Sequence, residues 1–424
     1  MVTVGILDWL KRMVSPPPKR SVARLQAVPE SDVDLVFETV DVSGGPLREH
    51  HRRQAFRDGR LLPKKKQIFG GGKHPSYMPA REARRFFSST MRTHDRSIRD
   101  LLADEEQLKR YGLPLWKTEK DLAGALGISP GELAFFSIHR EMERSPHYVT
   151  FSIPKSSGGA RVIMAPKKRL KELQRRLLQA LVEKLPVSPC AHGFIRLRST
   201  VTGARPHAGR QVVVNMDLKD FFPSVHFGRV RGYLVALGYG YVVATVLAVL
   251  MTEAERQPVD VEGTIYHVPV TPRYCVQGAP TSPGICNAIV HKMDRRLSGY
   301  GKALGFTYTR YADDLTFSGD DLSQVKALLG GAARIVSEEG FTVHPGKTSV
   351  MRKGRRQTVT GIVVNKVPGL SRKERRRIRA RIHRFQKSSP AAEELRSLRG
   401  KLAYLSMINL EQAEKLKALM NHPG

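Results

Sequence analysis

Residues 305–319 read GFTYTRYADDLTFSG, and no other stretch restricts the fold as strongly. Thr, Tyr and Phe crowd residues 306–311 and 315–318, which predicts two strands joined by a tight bend. Asp313 and Asp314 occupy that bend. Adjacent carboxylates repel, so a plain hairpin gains nothing from them over Asn-Gly or Asp-Gly. A divalent cation removes the conflict, and an oxygen-only donor set suits Mg2+ held by one or two carboxylates plus substrate phosphates. An isolated Asp-Asp pair is more often an ordinary acidic turn. A third carboxylate in a matching setting shifts the balance. Residues 211–217, QVVVNMD, form a β-branched run that ends in Asp217, far upstream of the bend. Only tertiary folding brings the two places together. Aspartates from separate strands around two metal ions are the arrangement for in-line nucleotidyl transfer, one ion at the attacking oxygen and the other at the leaving pyrophosphate.

The charge balance names the class of partner. Lys and Arg total 71 against 39 acids, a formal net charge of +32 in 424 residues. Such an excess repels itself unless a polyanion is bound, so nucleic acid is the expected ligand. Neither a long apolar span nor a lipidation motif supports a membrane surface as the rival. Residues 1–14 are too short and too charged for a signal peptide. Cys190, Cys275 and Cys286 lack metal-ligand spacing and form no disulfide framework, which fits a reducing, cytoplasmic setting. Residues 62–79, with KKK, GGGK and two prolines, read as a flexible basic segment. GGGK lacks the spacing of a phosphate loop. Residues 82–108 are expected to be helical.

The motifs DLKDFFPS (217–224), QGAPTSP (277–283) and YADD (311–314), in this order, resemble the successive palm motifs of a reverse transcriptase. Two further elements narrow the likeness. Asn287, Ala288 and His291 form NAxxH, and Val359, Thr360 and Gly361 form VTG. Together they resemble the bacterial retron reverse transcriptases over roughly residues 112–424, with the first ~110 residues outside the likeness.

The resemblance implies an α+β right-hand polymerase: fingers, an antiparallel palm sheet and a helical thumb. Its boundaries place a partly flexible, basic extension at 1–110, fingers at 111–210, palm with fingers elements at 211–350, and primer grip with basic thumb at 351–424. Asp217, Asp313, Asp314 and the Leu218 carbonyl are the implied ligands of two Mg2+ ions, with Mn2+ as a substitute. In a fingers hairpin of residues 148–154 and 160–165, Lys155 and Arg161 would grip the incoming triphosphate, as a point charge and a bidentate fork; the plain alternative is a pair of solvated cations. Asp220 is a weaker nucleotide contact. Phe222 falls where the family has its sugar-side gate, and a ring there would clash with a 2′-hydroxyl; otherwise it is core. Gln277 and Gly278 would meet the nucleotide or template base, the Gly allowing close backbone approach.

A helix beginning at Pro283 would carry Asn287 and His291 four apart on one face, either packing there or contacting the cognate RNA. On the basic helix over 168–184, Lys171, Arg175 and Arg176 would face template phosphate. Lys347 resembles the general acid of the next palm motif, and is otherwise a turn lysine. Val359, Thr360 and Gly361 are expected in a primer-grip strand and its RNA-recognition surface. Residues 352–387 hold fourteen Lys/Arg against one acid. Arg375, Arg376 and Arg379 there are expected to hold RNA or duplex backbone.

The activity so implied is RNA-directed DNA synthesis from deoxynucleoside triphosphates on a cognate structured non-coding RNA. Priming from a guanosine 2′-hydroxyl would give a branched RNA–DNA product within an anti-phage system. A separately encoded effector protein and a ribonuclease H are further partners in such systems, and no membrane is involved. Two rivals are a group II intron-like reverse transcriptase or maturase and a non-catalytic RNA-binding scaffold on a polymerase fold. NAxxH, VTG and the absence of an evident DNA-binding or endonuclease module oppose the first. The retained aspartates and Gln-Gly oppose the second.

Overall fold

The structure is a computed structural model that describes residues 67–69, 72–73, 102–138, 143–154, 159–387 and 391–421. Lys155, most of the basic 62–79 segment and residues 82–101 of the helix expected over 82–108 lie outside them. Gln67–Phe69 and Gly72–Lys73 form a short antiparallel pair.

Three short helices come first: α1 (Glu105–Arg110), α2 (Glu119–Ala125) and α3 (Pro130–Phe136). Local chemistry fixes their starts. Thr118 and Asp121 form a reciprocal capping box on α2, while Ser129 caps α3 ahead of a proline in its first turn. The hairpin expected in the fingers follows as β1 (Tyr148–Pro154) and β2 (Ala160–Pro166), in unbroken antiparallel register. Helix α4 (Lys168–Ala180) buries Leu170, Leu173 and Leu177 along one stripe. Its opposite face is not wholly free for template. Arg176 donates to the carbonyls of Leu126 (2.8 Å) and Gly127 (3.2 Å), so that guanidinium joins the fold.

The short α5 (Thr200–Ala204) leads into β3 (Val212–Lys219), whose Val212, Val213 and Val214 are all fully buried. Two-sided burial explains why this strand reads as a continuous apolar run rather than an alternation. The buried pair α6 (Phe227–Ala236) and α7 (Tyr241–Met251) is separated at Gly238-Tyr239-Gly240. Next come β4 (Arg256–Val261) and β5 (Thr264–Pro269), a hairpin paired throughout. It belongs, with residues 67–69, 72–73, 138 and 143–147 among the described residues, to the smaller of two compact units, and within that unit Glu143 N donates to His267 O (3.1 Å) and His267 N to Glu143 O (2.8 Å).

In the larger body the chain continues through α8 (Ser282–Ile289), α9 (His291–Ala303), β6 (Thr307–Tyr311), β7 (Asp314–Gly319), α10 (Val325–Glu338), β8 (Thr342–Val343) and β9 (Ser349–Arg352). One antiparallel sheet runs in the order β8-β3-β7-β6, and β9 also pairs with β3. This is the palm-type sheet that the sequence predicts, with α9 and α10 covering it. A small ladder, β10 (Thr358–Val359) with β11 (Ile362–Val363), packs on α5 and β3. The chain ends in the helices α11 (Arg372–Lys387), α12 (Ala392–Ile408) and α13 (Leu410–Asn421), joined around Ile378, Ile382, Leu398, Leu402, Leu405, Ala413 and Leu416. Among the described residues no helix is long and apolar enough to cross a membrane.

Candidate active site

Backbone pairing sets the three aspartates at neighbouring positions on the central strands. Asp217 near the end of β3 lies directly opposite Asp314, the first residue of β7. Asp313 is held beside them, because Leu218 N donates to its carbonyl at 2.9 Å. Tyr311 pairs with Asp314 across β6 and β7, so Ala312 and Asp313 make a two-residue turn. Ala312 carries a φ of +54° and Asp313 does not share it, the pattern of a II′ turn, which ordinarily takes Gly first. A side chain held in that region costs on the order of 1 kcal/mol, so its surroundings must enforce it.

Those surroundings are a buried polar cluster. Arg310, one residue before Tyr311, is fully buried, as is Asp294 on α9. Arg310 Nε and Nη2 donate to Asp294 Oδ1 and Oδ2 at 2.8 Å each, a bidentate pair. Its Nη1 donates to Ala312 O (3.0 Å) and Asn287 Oδ1 (2.7 Å). Tyr308 OH donates to Asp294 Oδ1 at 2.8 Å. The arginine thus fastens the Asp-Asp turn to α8 and α9. Neither Arg310 nor Asp294 is singled out by sequence reasoning. The available signals were an arginine abutting YADD and an acid three residues after His291.

The electrostatics are those of crowded acids. Desolvation, with the Asp313 and Asp217 charges behind it, pushes Asp314 up to about 6. Asp313 is also raised, by burial first and by Asp217, while Lys347 and Arg161 pull the other way. Lys347 lies in the 3-10 turn Pro345–Lys347, and its Nζ sits 2.9 Å from both oxygens of Asp217. The same turn is tied to β3 by His344 N donating to Asp217 O at 2.7 Å. Among the described residues no three acidic, His or Cys side chains converge as a metal cage. The lysine ammonium takes both oxygens of Asp217, the place of a cation. The donor set still fits a hard divalent ion: three carboxylates, two of them destabilised as anions by desolvation and by neighbouring carboxylate charge.

The β1–β2 hairpin reaches this site through backbone. Met164 N on β2 donates to Gln277 O at 2.8 Å. Gly278 has a φ of +122°, and a Cβ on it would lie 2.6 Å from Met164 O, so any larger residue is excluded sterically. Arg161 on β2 is exposed and close enough to act on Asp313. Beyond β3, Asp220 is exposed with a φ of +47°. Phe221 enters the core against Phe341, and Phe222 stays half-buried at its edge.

Of the residues expected to contact RNA, Asn287 and Val359 are packed in the core and the others lie at or near the surface. Asn287 and His291 do not share one helix, because α8 ends at Ile289 and α9 begins at His291. Asn287 is 1% exposed, donates to Gly193 O at 2.7 Å and accepts from Arg310, so its side chain is committed to the core. His291 is half-buried at the start of α9. Val359 is likewise 1% exposed, in a core cluster with Val213 and Ile362. Thr360 and Gly361 form the turn between β10 and β11, both with positive φ (+46° and +85°), and Gly361 is exposed. Arg376 and Arg379 are exposed on α11, whereas Arg375 is half-buried.

Comparison with known proteins agrees with this geometry. Residues 153–397 match the family model described as reverse transcriptase (RNA-dependent DNA polymerase). The chain is 57% identical to the Retron Mx65 reverse transcriptase of Myxococcus xanthus, over 97% of its own length and 96% of that protein. It is 46% identical to the Retron Mx162 reverse transcriptase of the same organism, over 72% of this chain and 66% of that protein. Against the Retron Ec86 reverse transcriptase of Escherichia coli it is 30% identical, over 73% of this chain and 90% of that protein. With the family model spanning most of the chain and a relative matched nearly end to end, the chain belongs to the retron reverse transcriptases and is an RNA-directed DNA polymerase.

Proposed function

We propose that the chain copies part of a cognate, structured non-coding RNA into DNA, starting from a guanosine 2′-hydroxyl of that RNA, so that the product is branched RNA–DNA serving anti-phage defence. The observation that carries the catalytic part is Asp217 directly opposite Asp314, with Asp313 in the adjoining turn. In this reading Asp217, Asp313, Asp314 and the Leu218 carbonyl hold Mg2+. When bound, the metal pair supplies charge neutralisation at the attacking hydroxyl and at the leaving pyrophosphate. Lys347 then moves from Asp217 toward the departing pyrophosphate and donates a proton from Nζ. Arg161 and Lys155 take the triphosphate, Gln277 and Gly278 the base, and Phe222 closes the sugar pocket against a 2′-hydroxyl. Asp220 borders that pocket. Arg375, Arg376, Arg379 and the Thr360-Gly361 turn contact RNA or duplex backbone, and His291 supports the same surface.

The charge of +32 supports the nucleic-acid partner. The fingers, palm and thumb divide near residues 110, 210 and 350, and the effector and ribonuclease H are separate chains. The test replaces Asp313 and Asp314 together with Ala. DNA synthesis on the RNA that co-purifies with the protein should disappear, while binding of that RNA stays within about twofold of wild type. Undiminished synthesis would refute the site.

A further inference from the structure

The loop of residues 190–199 lies against the Asp-Asp turn and has no part in the roles above. Its start is stitched to the strand that carries the turn: Arg310 N donates to Cys190 O (2.8 Å) and His192 N to Arg310 O (2.7 Å). Asn287 Nδ2 holds Gly193 O at 2.7 Å. A Cβ on Gly193 would lie 2.8 Å from Ala312 N, so the loop backbone rests directly on the turn. Past this contact, Phe194 and Leu197 are non-glycine residues with φ of +57° and +63°. Arg198 enforces that path, its Nη1 donating to the carbonyls of Ser188 (2.8 Å) and Pro189 (3.0 Å) and its backbone N to Ile195 O (3.2 Å). Strain of this kind ordinarily serves to bury apolar groups or to position functional ones. Here it buries nothing: Phe194 is 59% exposed and Leu197 93% exposed, with exposed Arg196 between them. The Phe194 ring stands 6.2 Å from the ring of Tyr311 at 42°.

We propose that Phe194 and Leu197 form an apolar platform for a base of the nucleic-acid strand seated at the Asp-Asp turn. Phe194 and Tyr311 offer ring faces, Leu197 packs on the sugar or base edge, and Arg196 meets the adjoining phosphate. The occupant follows from the chemistry: aromatic faces interleaved with cations are how single bases are held, and the whole chain carries a charge of +32. The proposal rests on the polymerase reading, because that reading brings a strand past this turn.

The test uses the full chain, a primer–template duplex and 2-aminopurine placed singly at successive positions of either strand. Binding is read by anisotropy and stacking by fluorescence quenching, in buffer without deoxynucleotides. In wild type one position should be quenched, and the strand that carries it tells template from primer. Phe194→Gly should lose the quench and bind about tenfold more weakly, whereas Phe194→Trp should keep both. Glycine accepts the left-handed backbone freely, so Phe194→Gly should melt at or above the wild-type temperature, which a merely structural phenylalanine would not allow. Leu197→Asn, also at ease there, is the second variant and should weaken binding without loss of folding. Asp313→Asn with Asp314→Asn should abolish synthesis yet keep the quench, which separates this proposal from the catalytic one. Bound duplex with no quenched position, or wild-type affinity and quenching in Phe194→Gly, overturns the platform.

Discussion

Replacing Asp294 with Ala should unfold much of the chain although the residue lies away from the three aspartates. Arg310 and Asp294 are both fully buried and share two hydrogen bonds of 2.8 Å. Removing one partner of such a pair leaves an uncompensated buried charge and costs about 3–5 kcal/mol. The buried Tyr308 hydroxyl also loses its acceptor, adding about 1–3 kcal/mol. The sum, about 4–8 kcal/mol, compares with a total stability of about 5–15 kcal/mol for an ordinary domain. Changing both partners, Asp294→Leu with Arg310→Met, removes the stranded charge and should recover most of that loss. It cannot restore the bonds from Arg310 to Ala312 O and Asn287 Oδ1, so the turn loses its fastening. Urea unfolding followed by circular dichroism, alongside primer extension, separates the effects: the double variant should fold and still synthesise DNA poorly. A cost below about 1 kcal/mol for Asp294→Ala, or wild-type extension by the double variant, would refute the reasoning.

Three other outcomes follow from the same geometry. Asp314, exposed at the start of β7 yet pushed up to about 6 by partial desolvation and its acidic neighbours, favours the fold when protonated. That contribution is complete below its unfolded value near 4 and is lost as pH rises through about 6. In metal-free buffer the melting temperature of wild type relative to Asp314→Asn should therefore fall between pH 4 and 7; a constant difference contradicts the shift. Phe222→Ala should raise incorporation of ribonucleotides by on the order of tenfold or more relative to deoxynucleotides in single-nucleotide extension, and unchanged selectivity would return this ring to the core. Replacing Arg375, Arg376 and Arg379 with Ala should reduce the slope of log K against log salt for RNA binding by about 0.7–0.9 per lost phosphate contact; an unaltered slope removes them from the interface.

The sequence made the centre of the molecule legible because each part of it is a local pattern. The β-branched run ending in Asp217 and the Thr/Tyr/Phe runs around Asp313 and Asp314 became paired strands within a residue or two of the expected limits. The arginine-rich stretch after Ser371 became a helix with its apolar residues turned inward. Features that depend on contacts distant in sequence were missed. NAIVHKM contains no helix breaker, so nothing local announces the stop at Ile289, and Asn287 is committed to the buried arginine instead of standing with His291. Val359 reads as part of a recognition motif, yet its partners Val213 and Ile408 come from distant strands and helices. The ion pair of Arg310 with Asp294 joins a strand to a helix, and charged residues in sequence look solvated until the fold buries them.

The central claim is best tested by the linkage in the product itself. Purified protein with its co-purifying RNA, deoxynucleotides and Mg2+ should yield a short DNA joined to that RNA. A 2′–5′ debranching enzyme should release the DNA, and Asp313→Ala with Asp314→Ala should make none. DNA with an unattached 5′ end that ignores debranching, or equal yield from the double variant, would contradict the account.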